Sequence, residues 1–216
     1  MSKKLPLIVV LAVLLAPVAV HASGILDFNV PGGGSVSYAG GSSSLYGTSI
    51  AIDQVCGIGT PLNDGVCLNI SNGNLSFVTG GFSGFDSSDW YFNGGGSILI
   101  NGSIASLGII NGTLMSGTWS DATVMWPGDG RGVVTGDYTD TKDITLAGYF
   151  GLGATGWNGT LNPSFCCADS PPSAFRGQVM GGDVVNESPV PEPASLALLG
   201  TGLVGIAGMI RRKLLS

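Results

Sequence analysis

The sequence predicts an all-β core held between two apolar ends. Three observations lead there. Short apolar runs with period-two alternation recur through the middle of the chain, Gly residues and Asn-Gly pairs cut between them, and no stretch of that middle has a capped 3.6-residue apolar period. Gly (37) and Pro (11) together make up about 22% of the 216 residues, just under the level at which disorder is the default. The 44% apolar content still supplies one folded core.

The first element is an export signal over residues 1–22. Lys3 and Lys4 start it, an apolar run over 5–20 follows, broken only by Pro6 and Pro17, and Val20-His21-Ala22 ends it with the small residues a signal peptidase accepts. Cleavage is expected between Ala22 and Ser23, with signal peptidase as the first partner. His21, the only histidine, leaves with the signal.

The core is expected over 23–182. Val66, Leu68 and Ile70 alternate with Cys67 and Asn69, and Leu75 and Phe77 flank Ser76 beyond Asn72-Gly73. Asn101-Gly102 and Asn111-Gly112 stand ten residues apart, and Asn-Gly suits the type I′ turn because both central residues need positive φ. Those pairs predict a β-meander over 97–119. Further strands are expected at 35–39, 48–55, 122–126, 132–136, 143–150 and 174–180. Such short strands suit a β-sandwich or an irregular barrel. A β-solenoid is the alternative, but the ten-residue interval occurs only once.

The charge is unevenly placed. The formal net charge is −6, yet the segment 23–193 holds fourteen carboxylates against Arg131, Lys142 and Arg176, a net −11. A nucleic-acid partner is excluded, since counterion release needs clustered cations. Export permits disulfides. Cys56 and Cys67 enclose a Gly- and Pro-rich segment and are the expected pair; a bond between the neighbours Cys166 and Cys167 would close a small strained ring.

Without His21 the core has no imidazole, which removes Ser-His-Asp and Cys-His catalysis and histidine-based metal sites. The expectation is no enzyme and no cofactor. Calcium alone is weighed, because it binds through oxygen. Asp137, Asp140 and Asp143 fall three apart, Asp129 sits in Pro127-Gly128-Asp129-Gly130, and the run from Gly80 to Asp86 is Gly-rich; turn-shaping by these Asp is the simpler reading. Trp90 and Trp157 are the candidate stacking platforms for a sugar, with core packing as the competing reading.

The chain closes on a second address. A spacer over 183–193 holds three Pro and two Glu and ends in Val190-Pro191-Glu192-Pro193. An apolar stretch over 194–210 follows, and as a helix its seventeen residues span about 25 Å, enough for a thin bilayer. Arg211, Arg212 and Lys213 then hold the tail 211–216 on the cytoplasmic side. Pro191-Glu192-Pro193, the Ala/Leu/Gly-rich helix and the basic end together resemble the PEP-CTERM sorting signal. The same tail also goes under the name of an ice-binding protein C-terminal domain, which describes the tail and implies no ice binding. The resemblance implies processing by exosortase, a membrane peptidase-transferase. It also implies a Gram-negative bacterium that makes exopolysaccharide, with the product at the cell surface or in the extracellular matrix. The core resembles no family, and its expected role is structural or adhesive, with a carbohydrate-binding module as the alternative.

Overall fold

Along each strand of the core, apolar side chains that point one way alternate with polar ones that point the other, and the fold follows from closing that two-faced ribbon on itself. The computed structural model describes residues 23–167 and 169–189. Its strands are β1 (Ile25–Val30), β2 (Ser35–Tyr38), β3 (Ser44–Ile58), β4 (Cys67–Phe85), β5 (Asp89–Ile104), β6 (Ile109–Met125), β7 (Arg131–Lys142), β8 (Thr155–Leu161), β9 (Ser164–Cys166) and β10 (Phe175–Glu187). One short helix, α1 (Ile144–Tyr149), joins β7 to β8. The expected signal segment 1–22 with Ala22, the Pro191-Glu192-Pro193 element, the apolar stretch 194–210 and the basic Arg211, Arg212 and Lys213 lie outside the described residues. Among the described residues no helix is long and apolar enough to cross a membrane.

All pairings are antiparallel, and two of the staves are broken strands. β1 and β2 lie end to end between β3 and β10: Asp27 faces Cys56 and Val185, and Val36 faces Gly47 and Gly177. The break holds Pro31 and three glycines. Gly34, at φ +72°, lies so close to the Ser49 backbone that no side chain fits there. β8 and β9 lie end to end between β7 and β10, with Thr160 facing Asp137 and Val185, and Phe165 facing Gly132 and Val179. Asn162-Pro163 makes that break, as expected where proline cannot donate to a ladder. With each broken pair taken as one stave, every stave pairs with its neighbours in sequence and the last pairs with the first. The result is an eight-stave, up-and-down, closed β-barrel, which among the described residues leaves no stave without a partner on either side.

An eight-stranded barrel has an interior just wide enough for side chains to fill. Leu26, Phe28, Leu45, Ile50, Leu75, Trp90, Phe165 and Val184 are all completely buried. The apolar face points in and the polar face out, the reverse of a membrane-spanning barrel. Glycine makes room for the largest rings. Phe77 covers Gly47, Phe165 covers Gly132 and Tyr138 covers Gly159, each across a strand pair, and a Cβ on any of these glycines would run into the ring.

All-β is therefore correct, and of the architectures weighed the closed barrel replaces sandwich and solenoid: there is one sheet, and its pairings form a ring. Three local expectations are corrected. Asn72-Gly73, Asn101-Gly102 and Asn111-Gly112 do not turn the chain; they lie inside β4, β5 and β6. Asn72 (φ 54°) and Asn111 (φ 47°) take the left-handed conformation, and register slips fall beside them, between Ile52 and Gln54 against β4 and between Gly102 and Ile104 against β6. Positive φ serves a bulge as well as a turn, and bulges bend long staves round the barrel. The β5–β6 turn instead uses a 3-10 turn at Ala105–Leu107 with Gly108 left-handed.

Residues 143–150 form α1 rather than a strand. Asp143 Oδ1 accepts the backbone N–H groups of Thr145 (2.8 Å) and Leu146 (3.0 Å), an N-cap that starts the helix. The barrel also outruns the expected boundary at 182, because β10 continues to Glu187 and the compact unit to Pro189.

Candidate functional site

Both ends of the barrel chain leave at the same place. Ile25 pairs with Glu187, and Ser188 N–H donates to the Gly24 carbonyl at 2.8 Å, so Ser23 and Pro189 are carried on adjacent staves. The Cys56–Cys67 disulfide, the Ala105–Leu107 turn and α1 share this end. Cys56 and Cys67 face each other in the β3–β4 ladder, and the loop between them is tied by Gly59 N–H to Asp64 Oδ1 at 2.7 Å. The opposite end carries the β2–β3, β4–β5, β6–β7 and β9–β10 connections.

Trp90 and Trp157 are not surface platforms. Both are completely buried. Trp90 packs edge-on against Phe175 and its indole N–H donates to the Ser173 carbonyl at 3.2 Å. Trp157 donates to the Gly153 carbonyl at 2.8 Å. The expected sugar-stacking role is corrected to core packing, because inward alternation on β5 and β8 places both rings inside the barrel.

The acidic residues weighed for calcium also separate. Asp140 points inward and accepts a hydrogen bond from Lys142 Nζ, with both side chains fully buried. Asp143 caps α1, and Asp137 faces outward. Asp129 accepts from Arg131 N–H at 3.1 Å. Asp86 closes the β4–β5 hairpin through the N–H groups of Ser88 (2.8 Å) and Asp89 (2.9 Å) and the Tyr91 hydroxyl (2.7 Å). Among the described residues no three His, Cys, Asp or Glu side chains converge on one point.

The Asp140–Lys142 pair is a buried, perturbed titrating unit. Burial raises the Asp140 carboxyl despite the adjacent ammonium, and burial lowers the Lys142 amine to about 8 despite the carboxylate. Lys142 Nζ stands 4.7 Å from the centroid of the Trp157 ring, a cation–π contact inside the barrel. Asp140 Oδ2 has no hydrogen-bond partner. The spacing Asp140-Thr141-Lys142 signals this pair in the sequence, since residues two apart on a strand share a face.

A groove of about 310 Å³ lies over the outer faces of β6, β7, β8 and β10. Ser120, Asp137, Asn158, Thr160 and Glu187 supply its polar groups, and Val185 contributes an apolar patch. No sequence motif announces it, because its residues meet only through ladder register.

In the sequence the all-β barrel is followed by a proline-flanked acidic residue, an apolar stretch and a basic end, the order of parts in a C-terminal sorting signal. Residues 189–213 match the PEP-CTERM protein-sorting motif. That motif implies export, processing by the membrane protein exosortase, and delivery to the cell surface or extracellular space. No curated protein and no solved structure matches the chain.

Proposed function

We propose that the barrel is a non-enzymatic structural or adhesive component of the extracellular matrix of a Gram-negative bacterium. It would be held by the membrane helix 194–210 until exosortase acts at Pro191-Glu192-Pro193. The observation that carries this reading is the juxtaposition of Gly24 and Ser188. Ser23 and Pro189 leave the barrel on adjacent staves, so an attachment made through Pro189 would be made at that one end. The test is to replace Pro191, Glu192 and Pro193 by Ala in the full chain and follow mass and location. Retention of the uncleaved chain in the inner membrane, with loss from the matrix fraction, is the expected result. Unchanged processing and location would overturn the reading.

A second reading, a module that retains exopolysaccharide, is favoured by the groove over β7, β8 and β10. Its carboxylates, amide and hydroxyls have the hydrogen-bonding capacity that sugar hydroxyls need, and its volume suits a sugar residue or two. Binding of the host's own polysaccharide to the barrel supports it, and absence of binding removes it.

A further inference from the structure

We propose that Cys166 and Cys167 form a covalent coupling site through which two copies of this chain are joined by an interchain disulfide. Cys56 and Cys67 are already bonded to each other at the end where Ser23 and Pro189 lie, so they are not partners for this pair. Cys166 and Cys167 are both free, one half-exposed and the other exposed. They follow β9 at the end of the barrel opposite to the one where Ser23 and Pro189 lie. An exported protein meets disulfide oxidants, and exposed thiols there do not remain reduced.

The local backbone opposes the intrachain outcome. Cys166 is held in the ladder opposite Arg131, while Cys167 is left-handed at φ 72° and donates its N–H to the Gly130 carbonyl at 2.7 Å. Closing the small ring between neighbours would strain the intervening peptide, whose N–H is held in that bond. Cys166 is also the better nucleophile. A hydrogen bond from the Cys167 thiol, followed by the Gln178 backbone, lowers its thiol from the ordinary value, whereas the same bond raises Cys167.

The chemistry balances as two exchanges with a small-molecule or protein disulfide. The Cys166 thiolate attacks one sulfur of that disulfide, the S–S bond breaks, and half the oxidant leaves as a thiolate. The Cys167 thiolate of a second copy then attacks the Cys166 sulfur and expels the other half. Two protein thiols give up two electrons and two protons, and the oxidant disulfide is reduced to two thiols.

The test uses the full chain purified in detergent, equilibrated in a buffer of oxidised and reduced glutathione, and quenched with N-ethylmaleimide. Non-reducing electrophoresis and peptide mass analysis are the readouts. Because the oxidant is supplied, the result does not depend on how the chain is sorted. The expected result is a species of doubled mass that collapses with reductant, contains a cross-linked peptide spanning Cys166 and Cys167, and is lost in the Cys166→Ser/Cys167→Ser double variant. Three outcomes would overturn the proposal: a monomer with both thiols alkylated, a monomer with the pair closed on itself or capped by glutathione, or a dimer that persists in the double variant.

Discussion

Lys142 donates to Asp140 inside the barrel with neither side chain exposed to water, so a charged pair sits in an interior that is mostly apolar. Removing one partner strands the other. Lys142→Met alone is expected to cost about 3–5 kcal/mol, and Lys142→Met/Asp140→Leu to recover most of that loss. Urea unfolding of the four members of the cycle measures it. The pair also sets a pH signature. Lys142 deprotonates at about 8 when folded but nearer 10.5 when unfolded, so the unfolded chain holds the extra proton between those values and stability rises with pH across that window. Asp140, raised by burial, keeps its proton to higher pH when folded, so its contribution declines as pH climbs above 3.8. Loss of the alkaline rise in the double variant checks the assignment; its persistence would refute it.

Gly159 lies beneath the Tyr138 ring, whose hydroxyl donates to Asn186 Oδ1 at 2.9 Å. Gly159→Ala drives a methyl into that ring and is expected to cost about 1–3 kcal/mol. Gly84→Ala, where a Cβ meets open space, is the control and is expected to be neutral or better. Equal effects at the two sites, read as shifts in the unfolding midpoint, would show that backbone freedom rather than ring packing governs these glycines.

These glycines mark what was legible in the sequence and what was not. Period-two alternation in Val66-Cys67-Leu68-Asn69-Ile70 gave the strand and its buried face directly, because the signal is local. The Asn-Gly pairs were ambiguous: left-handed Asn serves a type I′ turn and a bulge alike, and only the length of the ladder decides. Strand lengths of 15 to 19 residues in β3, β4, β5 and β6 come from barrel closure, which no window of sequence contains. The run 143–150 looked extended because α1 is only six residues long, too short for a 3.6-residue period to register. Asp143, its cap, was the available cue. The groove was hidden for a related reason: Asp137, Asn158 and Glu187 come from three staves, and their meeting depends on register alone.

Asp86 ties the β4–β5 hairpin, and hydrogen bonds from the Ser88 backbone and then the Tyr91 hydroxyl lower its carboxyl to about 2. A carboxyl depressed on folding contributes stability above its unfolded value near 3.8 and loses it as pH falls toward 2. Asp86→Ala is therefore expected to lower the melting temperature at neutral pH, with the difference from the parent vanishing near pH 2. A difference that is constant with pH would mean the side chain acts by packing.

Trp157 and Asn158 are neighbours in β8 with opposite fates, one inside the barrel and the other in the groove, and together they separate stability from binding. Trp157→Ala removes a fully buried ring and its hydrogen bond to Gly153, an expected loss of about 3–5 kcal/mol. Asn158→Ala and Asp137→Ala remove outward polar groups and are expected to change stability by less than about 0.5 kcal/mol. If the groove holds exopolysaccharide, each of these two weakens binding by roughly 5- to 30-fold, the worth of one or two lost hydrogen bonds. The measurement is calorimetric titration with polysaccharide fragments, alongside thermal unfolding of every variant. Binding that weakens only in Trp157→Ala, in proportion to its unfolding, would remove the groove from consideration. Binding that weakens in Asn158→Ala and Asp137→Ala at unchanged melting temperature would place the ligand on the outer face of β7 and β8.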